Sequence, residues 1–111
     1  MFSFLKRLSG PQIDVVELDA LLAQGTIRIL DVREDSEFRS GHLPGAVNIP
    51  VKRLPDRVGK LKHDKPYAVI CASGSRSRSA TSYLLDQGFE GTVSVRGGTG
   101  AWARSDRPIV R

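Results

Sequence analysis

The sequence predicts an α/β domain, a parallel sheet with helices packed over both faces. Three observations predict it. Short apolar runs of strand length end in charged or polar residues, helical stretches separate them, and 111 residues suffice for one compact core but not for two. Strands that alternate with helices return over the sheet to run parallel, and the returning helices cover its faces. A hydrophobic fraction of 40% against 26% charged residues is that of a folded chain rather than a disordered one.

Residues 1–11 read as an N-terminal extension and residues 12–111 as one domain. The first element of the domain is a helix over Asp14 to Gln24. Asp14 is its N-cap, Glu17 completes a capping box, and Val15, Leu18, Leu21 and Leu22 share one face. Gly25 stands where a helix stops in a left-handed residue. Arg28 to Val32 is a buried strand whose end meets charge at Asp31 and Arg33. Gly41 to Gly45, two glycines around His42, Leu43 and Pro44, is a turn, and Ala46 to Ile49 is a second strand. Pro50 and Pro55 bracket a short helical turn.

Tyr67 to Ile70 is an apolar strand that delivers the chain directly to Cys71. A polar loop follows, and then a helix from about Arg76 with Ala80, Tyr83 and Leu84 on one side. Gly88 closes it, and Phe89 is placed to pack back on Leu84. Thr92 to Val95 is the last strand, followed by Gly97, Gly98 and a short helix containing Ala101 and Trp102. Trp102 and Phe38 are expected in the core. In sheets of this class ligands bind beyond the carboxyl ends of the strands, where both Asp31 to Arg33 and Cys71 fall.

Composition excludes several function classes. One cysteine forms no internal disulfide, and one cysteine with two histidines, His42 and His63, cannot build a four-ligand zinc site within the chain, so no metal is expected. Nothing points to a bound cofactor. The net charge of +5 and a pI near 9.9 suit a small anionic partner. The basic residues are scattered without the aromatic interleaving of a single-strand binder, so no nucleic-acid partner is expected. The start MFSFLKRLSG lacks the charge-first order of a secretory signal, and no run approaches the ~18 to 20 apolar residues of a membrane span. The expected location is the cytoplasm, with no membrane partner. Oligomeric state leaves no mark on this sequence.

Cys71 is the candidate nucleophile. A cysteine reacts as its thiolate, and the free thiol titrates near ~8.5, so a reactive one needs positive potential nearby. The loop Ala72, Ser73, Gly74, Ser75, Arg76 and Ser77 supplies it as inward N–H groups, as the start of a helix, and as the charges of Arg76 and Arg78. Gly74 suits a tight loop that needs a positive φ. Singly these are an ordinary turn glycine and a solvated helix start; around a cysteine at a strand end they make a site.

Three blocks of sequence resemble the rhodanese-like sulfurtransferases: DVREDSEFRSGHLPGAVNIP from Asp31 to Pro50, CASGSRS from Cys71 to Ser77, and VRGGTGAW from Val95 to Trp102. The resemblance runs from about Gln12 to Arg107. It implies a rhodanese-like fold with a five-stranded parallel sheet flanked by helices. It also implies that Cys71 carries sulfane sulfur as a persulfide, taken from thiosulfate or another persulfide and passed to cyanide or a thiol. The N–H groups of Ala72 through Arg76 would cradle the outer sulfur, while Asp31 and Arg33 would brace the loop. His42 is assigned to the architecture of its turn. The loop departs from many members in having small neutral residues at Ala72, Ser73 and Ser75, so a persulfide-bearing protein or small molecule stands beside thiosulfate as the expected donor.

Two other functions fit the same blocks. One is a non-turnover sulfur carrier or protein-docking module. The other is a phosphatase or arsenate reductase, whose loop is one residue longer and carries an arginine six positions after the cysteine; here that position is Ser77.

Overall fold

The computed structural model describes residues 11–111 and contains five parallel strands: β1 (Gln12–Ile13), β2 (Arg28–Asp31), β3 (Val47–Asn48), β4 (Tyr67–Ile70) and β5 (Val93–Val95). Their order across the sheet is β1-β5-β4-β2-β3. The helices are α1 (Val15–Gln24), α2 (Asp35–Ser40), α3 (Leu54–Arg57), α4 (Ser75–Asp86) and α5 (Gly98–Arg104), with 3-10 turns at Val51–Arg53 and Val58–Lys60. The expected N-terminal extension lies outside the described residues except for Pro11, whose carbonyl accepts the Ser94 N–H at 3.0 Å.

The alternation of side chains along β4 divides the core. Tyr67, Val69 and Cys71 point to one face, where Leu30, Val32, Leu54, Ala80, Leu84 and Phe89 join them beneath α3 and α4. Ala68 and Ile70 point to the other, with Leu18, Ile29, Leu43, Val95 and Trp102 beneath α1 and α5. A central strand covered on both faces has no polar side, and all four residues of β4 are buried.

Helix α1 begins as its sequence requires: the Glu17 N–H donates to the Asp14 carboxylate at 2.8 Å, and the Asp14 N–H donates to the Glu17 carboxylate at 3.2 Å. Gly25 ends it with φ of 69°. Helix α4 closes as expected too, with the Phe89 N–H donating to the Leu84 carbonyl at 3.0 Å.

Four expectations are corrected. The helical stretch near Pro50 and Pro55 runs on to Lys60, because Pro55 sits in the first turn of α3, where a missing N–H costs nothing. Phe38 is half-buried and stacks on the His42 ring at 3.6 Å instead of entering the core. Strand β1 and helix α2 were not expected. Strand β3 is also shorter than its apolar run: it is two residues long, and the Ile49 N–H makes the last bond of its ladder, to the Asp31 carbonyl at 3.0 Å.

Candidate active site

Cys71 follows β4 and continues its alternation, so its side chain lies on the α4 face. Helix α4 has Gly74 at its N-cap position and therefore no capping side chain. The first-turn N–H groups of a helix need an acceptor, and the cysteine sulfur provides one. The Ser77 N–H donates to Cys71 Sγ at 3.3 Å and the Gly74 N–H donates at 3.1 Å. Gly74 turns its N–H inward with φ of 113°. Cys71 has no exposed surface in this closed arrangement.

The carbonyls of the loop face the other way. The Thr99 N–H donates to the Cys71 carbonyl at 2.8 Å and the Gly100 N–H to the Ala72 carbonyl at 3.1 Å, so the start of α5 clamps the start of the loop. That approach demands glycine at residue 98, where a Cβ would run into both carbonyls and where φ is 59°. Gly98→Ala is expected to destabilise the protein by roughly 2 to 5 kcal/mol, from overpacking and left-handed strain together. Chemical denaturation checks this, and a cost under ~1 kcal/mol would mean that the clamp relaxes freely.

Burial pushes the Cys71 thiol up, but the Ser77 hydroxyl and the N–H groups of Ser77, Gly74 and Ser73 outweigh it and hold the thiol below its ordinary value. Of the three sources expected from the sequence, the inward N–H groups are the ones that act here, joined by the Ser77 hydroxyl. Arg76 is engaged elsewhere: its guanidinium grips the Glu37 carboxylate with two bonds, at 2.7 and 3.0 Å. That bond holds the Glu37 carboxyl down at about 2, against partial burial and with help from the Glu34 N–H. A folded-state value below the unfolded one stabilises at pH above the ordinary glutamate range near ~4.3, and the contribution fades as pH falls toward about 2. Both side chains are about a third exposed, 35% and 36%, so the pair is a modest contributor to stability and its chief effect is local.

Asp31 and Arg33 form a buried ion pair at 2.8 Å, with the Arg33 N–H also donating to the Asp31 carboxylate at 3.0 Å. Arg33 Nη2 donates onward to the Gly41 carbonyl at 2.7 Å. The pair braces the turn that ends α2, the helix whose Glu37 holds Arg76, and between its two residues the Val32 N–H donates to the Ile70 carbonyl next to Cys71. Asn48 Nδ2 donates to the Asp31 and Arg33 carbonyls and fixes the same corner. His42 bonds through Nδ1 to the Phe38 carbonyl at 2.8 Å, within the same turn. Ala72, Ser73 and Ser75 complete the loop, and Arg78 projects from the first turn of α4 beside a cavity of about 330 Å³ that Ser73, Ser75 and Arg96 also line.

Three residues of this site escaped the reading of the sequence: Glu37, Gly98 and Ser94. Glu37 carried a usable signal, since Glu34 and Glu37 stand at capping-box spacing and do form one. The Gly97-Gly98 pair marked a close backbone approach without saying to what. Ser94 sits between two valines and gave no signal.

The chain matches the family model described as "Rhodanese-like domain" over residues 14–105. It is 35% identical over 100 residues to a sulfurtransferase of Allochromatium vinosum, covering 89% of this chain and 94% of that protein. It is 33% identical over 94 residues to the thiosulfate sulfurtransferase GlpE of Shewanella oneidensis, covering 85% and 93%. Among solved structures, a rhodanese-related protein from Thermoplasma volcanium superposes with a TM-score of 0.83 at 35% identity, over 91% of this chain and 98% of the other.

Proposed function

Since the chain belongs to the rhodanese-like domain family, we propose that it is a sulfurtransferase in which Cys71 carries sulfane sulfur as a persulfide. The observation that supports this most is the pair of N–H donors, from Gly74 and Ser77, converging on the one sulfur of the loop. Donors fixed in that way stabilise a negative sulfur before any substrate arrives.

The two half-reactions follow. The Cys71 thiolate attacks the outer sulfur of thiosulfate; a sulfur–sulfur bond forms to Sγ as the old one breaks, and sulfite leaves with the electron pair. With a persulfide donor the leaving group is a thiolate. Cyanide or an acceptor thiolate then attacks the outer sulfur and releases Sγ as thiolate, giving thiocyanate or a new persulfide. The sulfur atom moves without net oxidation of the protein, and the loop N–H groups hold negative charge at each stage.

The Glu37–Arg76 pair argues against oxyanion-ester chemistry. A phosphatase needs an uncommitted guanidinium over its loop, whereas this one has both Nη atoms on a carboxylate. Glu37→Gln is expected to release that charge and to tighten inhibition by phosphate or sulfate roughly three- to tenfold, with little change in melting temperature. Unaltered inhibition constants would remove Glu37 from any role in anion selection.

The direct test is intact-protein mass after brief incubation with thiosulfate or, in parallel, with a small persulfide. A thiol-reversible gain of one sulfur supports the persulfide, and the donor that loads faster identifies the class used. A loaded protein that turns over on neither donor with cyanide or a thiol favours the carrier reading. No gain from either donor removes the proposal.

A further inference from the structure

Beneath the Cys71 loop lies a second polar group that sulfur chemistry does not by itself require. Ser94 is on β5, flanked by Val93 and Val95, and is 2% exposed; Ser77 is fully buried. Their hydroxyl oxygens are 2.7 Å apart. A buried hydroxyl is unfavourable unless bonded, and at this position on the sheet an apolar side chain would serve packing better. Among the described residues, the side-chain hydrogen bond of Ser94 is the one to Ser77.

Either oxygen could donate across this contact, and the proton count favours one direction. Ser77 has one hydroxyl proton and gives it to the Gly74 carbonyl at 3.0 Å. The short contact with Ser94 therefore has Ser94 as its donor and Ser77 as its acceptor. The Ser77 hydroxyl also acts on Cys71, together with the Ser77 N–H that donates to Sγ at 3.3 Å. One proton serves one acceptor at a time: here that acceptor is the Gly74 carbonyl, and a negative sulfur would compete for it. In both arrangements Ser94 goes on donating, and a hydroxyl that accepts a hydrogen bond becomes a stronger donor itself.

We infer that Ser94 is a positioning residue for the Cys71 sulfur, acting through Ser77: it donates to the Ser77 oxygen so that the Ser77 proton is free to turn onto a thiolate or persulfide. Without it the Ser77 oxygen would be a buried acceptor with no donor, and its proton would stay with the Gly74 carbonyl. Thr81 supports the arrangement by donating to the Ser77 carbonyl at 2.7 Å, which holds the turn of α4 on which Ser77 sits.

The inference rests on Cys71 as the working nucleophile, but its test reads the thiol and not sulfur transfer, so the two can fail separately. The full chain is titrated by ultraviolet thiolate absorbance and by the pH dependence of alkylation rate, as wild type, Ser94→Ala, Ser94→Thr, Ser77→Ala and the double Ser77→Ala/Ser94→Ala. Losing one hydrogen bond to the charged form is expected to raise the thiol midpoint by roughly half a unit to one unit in Ser94→Ala, a three- to tenfold smaller thiolate fraction below the midpoint. Ser94→Thr, which keeps the hydroxyl, restores the wild-type midpoint, and the double variant shifts no further than Ser77→Ala alone. An unchanged midpoint in folded Ser94→Ala, or a double variant whose shift is the sum of the two, would overturn the inference. So would an unchanged midpoint in Ser77→Ala, which decides the matter even if Ser94→Ala does not fold.

Discussion

Cys71→Ser is expected to fold as the wild type does and to carry no sulfur. The chain holds one cysteine, so no second thiol can substitute for it. A serine oxygen can accept the Gly74 and Ser77 N–H groups that now reach Sγ, which preserves the cap of α4, and the exchange removes no core volume beyond the difference between sulfur and oxygen. Unfolding free energy should therefore change by no more than about 1 to 2 kcal/mol. The chemistry has no such tolerance, since a hydroxyl neither ionises in this range nor forms the sulfur–sulfur bond that the transfer needs. Mass after thiosulfate or persulfide treatment, with a melting curve on the same sample, checks both halves. Turnover above about a thousandth of the wild-type rate would place the reaction on some other group.

Arg33→Met should produce a large loss of stability at this end of the sheet. Asp31 is completely buried and Arg33 is 6% exposed. Removing the guanidinium strands a buried carboxylate, which typically costs about 3 to 5 kcal/mol. It also removes the donor to the Gly41 carbonyl, which ties down the end of α2. Urea unfolding measures the loss, and Asp31→Asn/Arg33→Met should recover part of it because the stranded charge is gone. A loss of less than ~1 kcal/mol in the single variant would mean that water or a neighbour takes over the carboxylate, and the pair would then be no brace at all.

The elements that were legible in the sequence carry their signals locally. Helix α1 announces itself through Asp14, Glu17 and Gly25, and β4 through four apolar residues ending at a cysteine. Strand β1 has no such signal. Gln12 and Ile13 become a strand only because Ser94 and Val95 offer an edge, more than 80 residues along the chain. Helix α2 lacks an apolar stripe, and none of its residues is buried. What holds it is the Glu34–Glu37 box and the grip of Arg76, a tertiary contact invisible to periodicity. The same holds for the site. That Cys71 ends a strand and that Gly74 opens the loop toward a helix follow from spacing. Ser94 looks like a polar residue on the wet side of a strand, and it is buried because α4 covers that side.

The clamp on the loop sets an order of events during synthesis. A ribosome working from the N-terminus delivers Cys71 well before Gly98, Thr99 and Gly100, whose backbone holds the Cys71 and Ala72 carbonyls. Until those residues emerge, the loop has no fixed back wall, and its N–H groups have no reason to converge on the sulfur. A nascent chain stalled before β5 would lack that back wall, and the N–H cradle around the Cys71 sulfur would form only once residues 98–100 have been made. The surroundings of the cysteine are thus completed by a segment made after it.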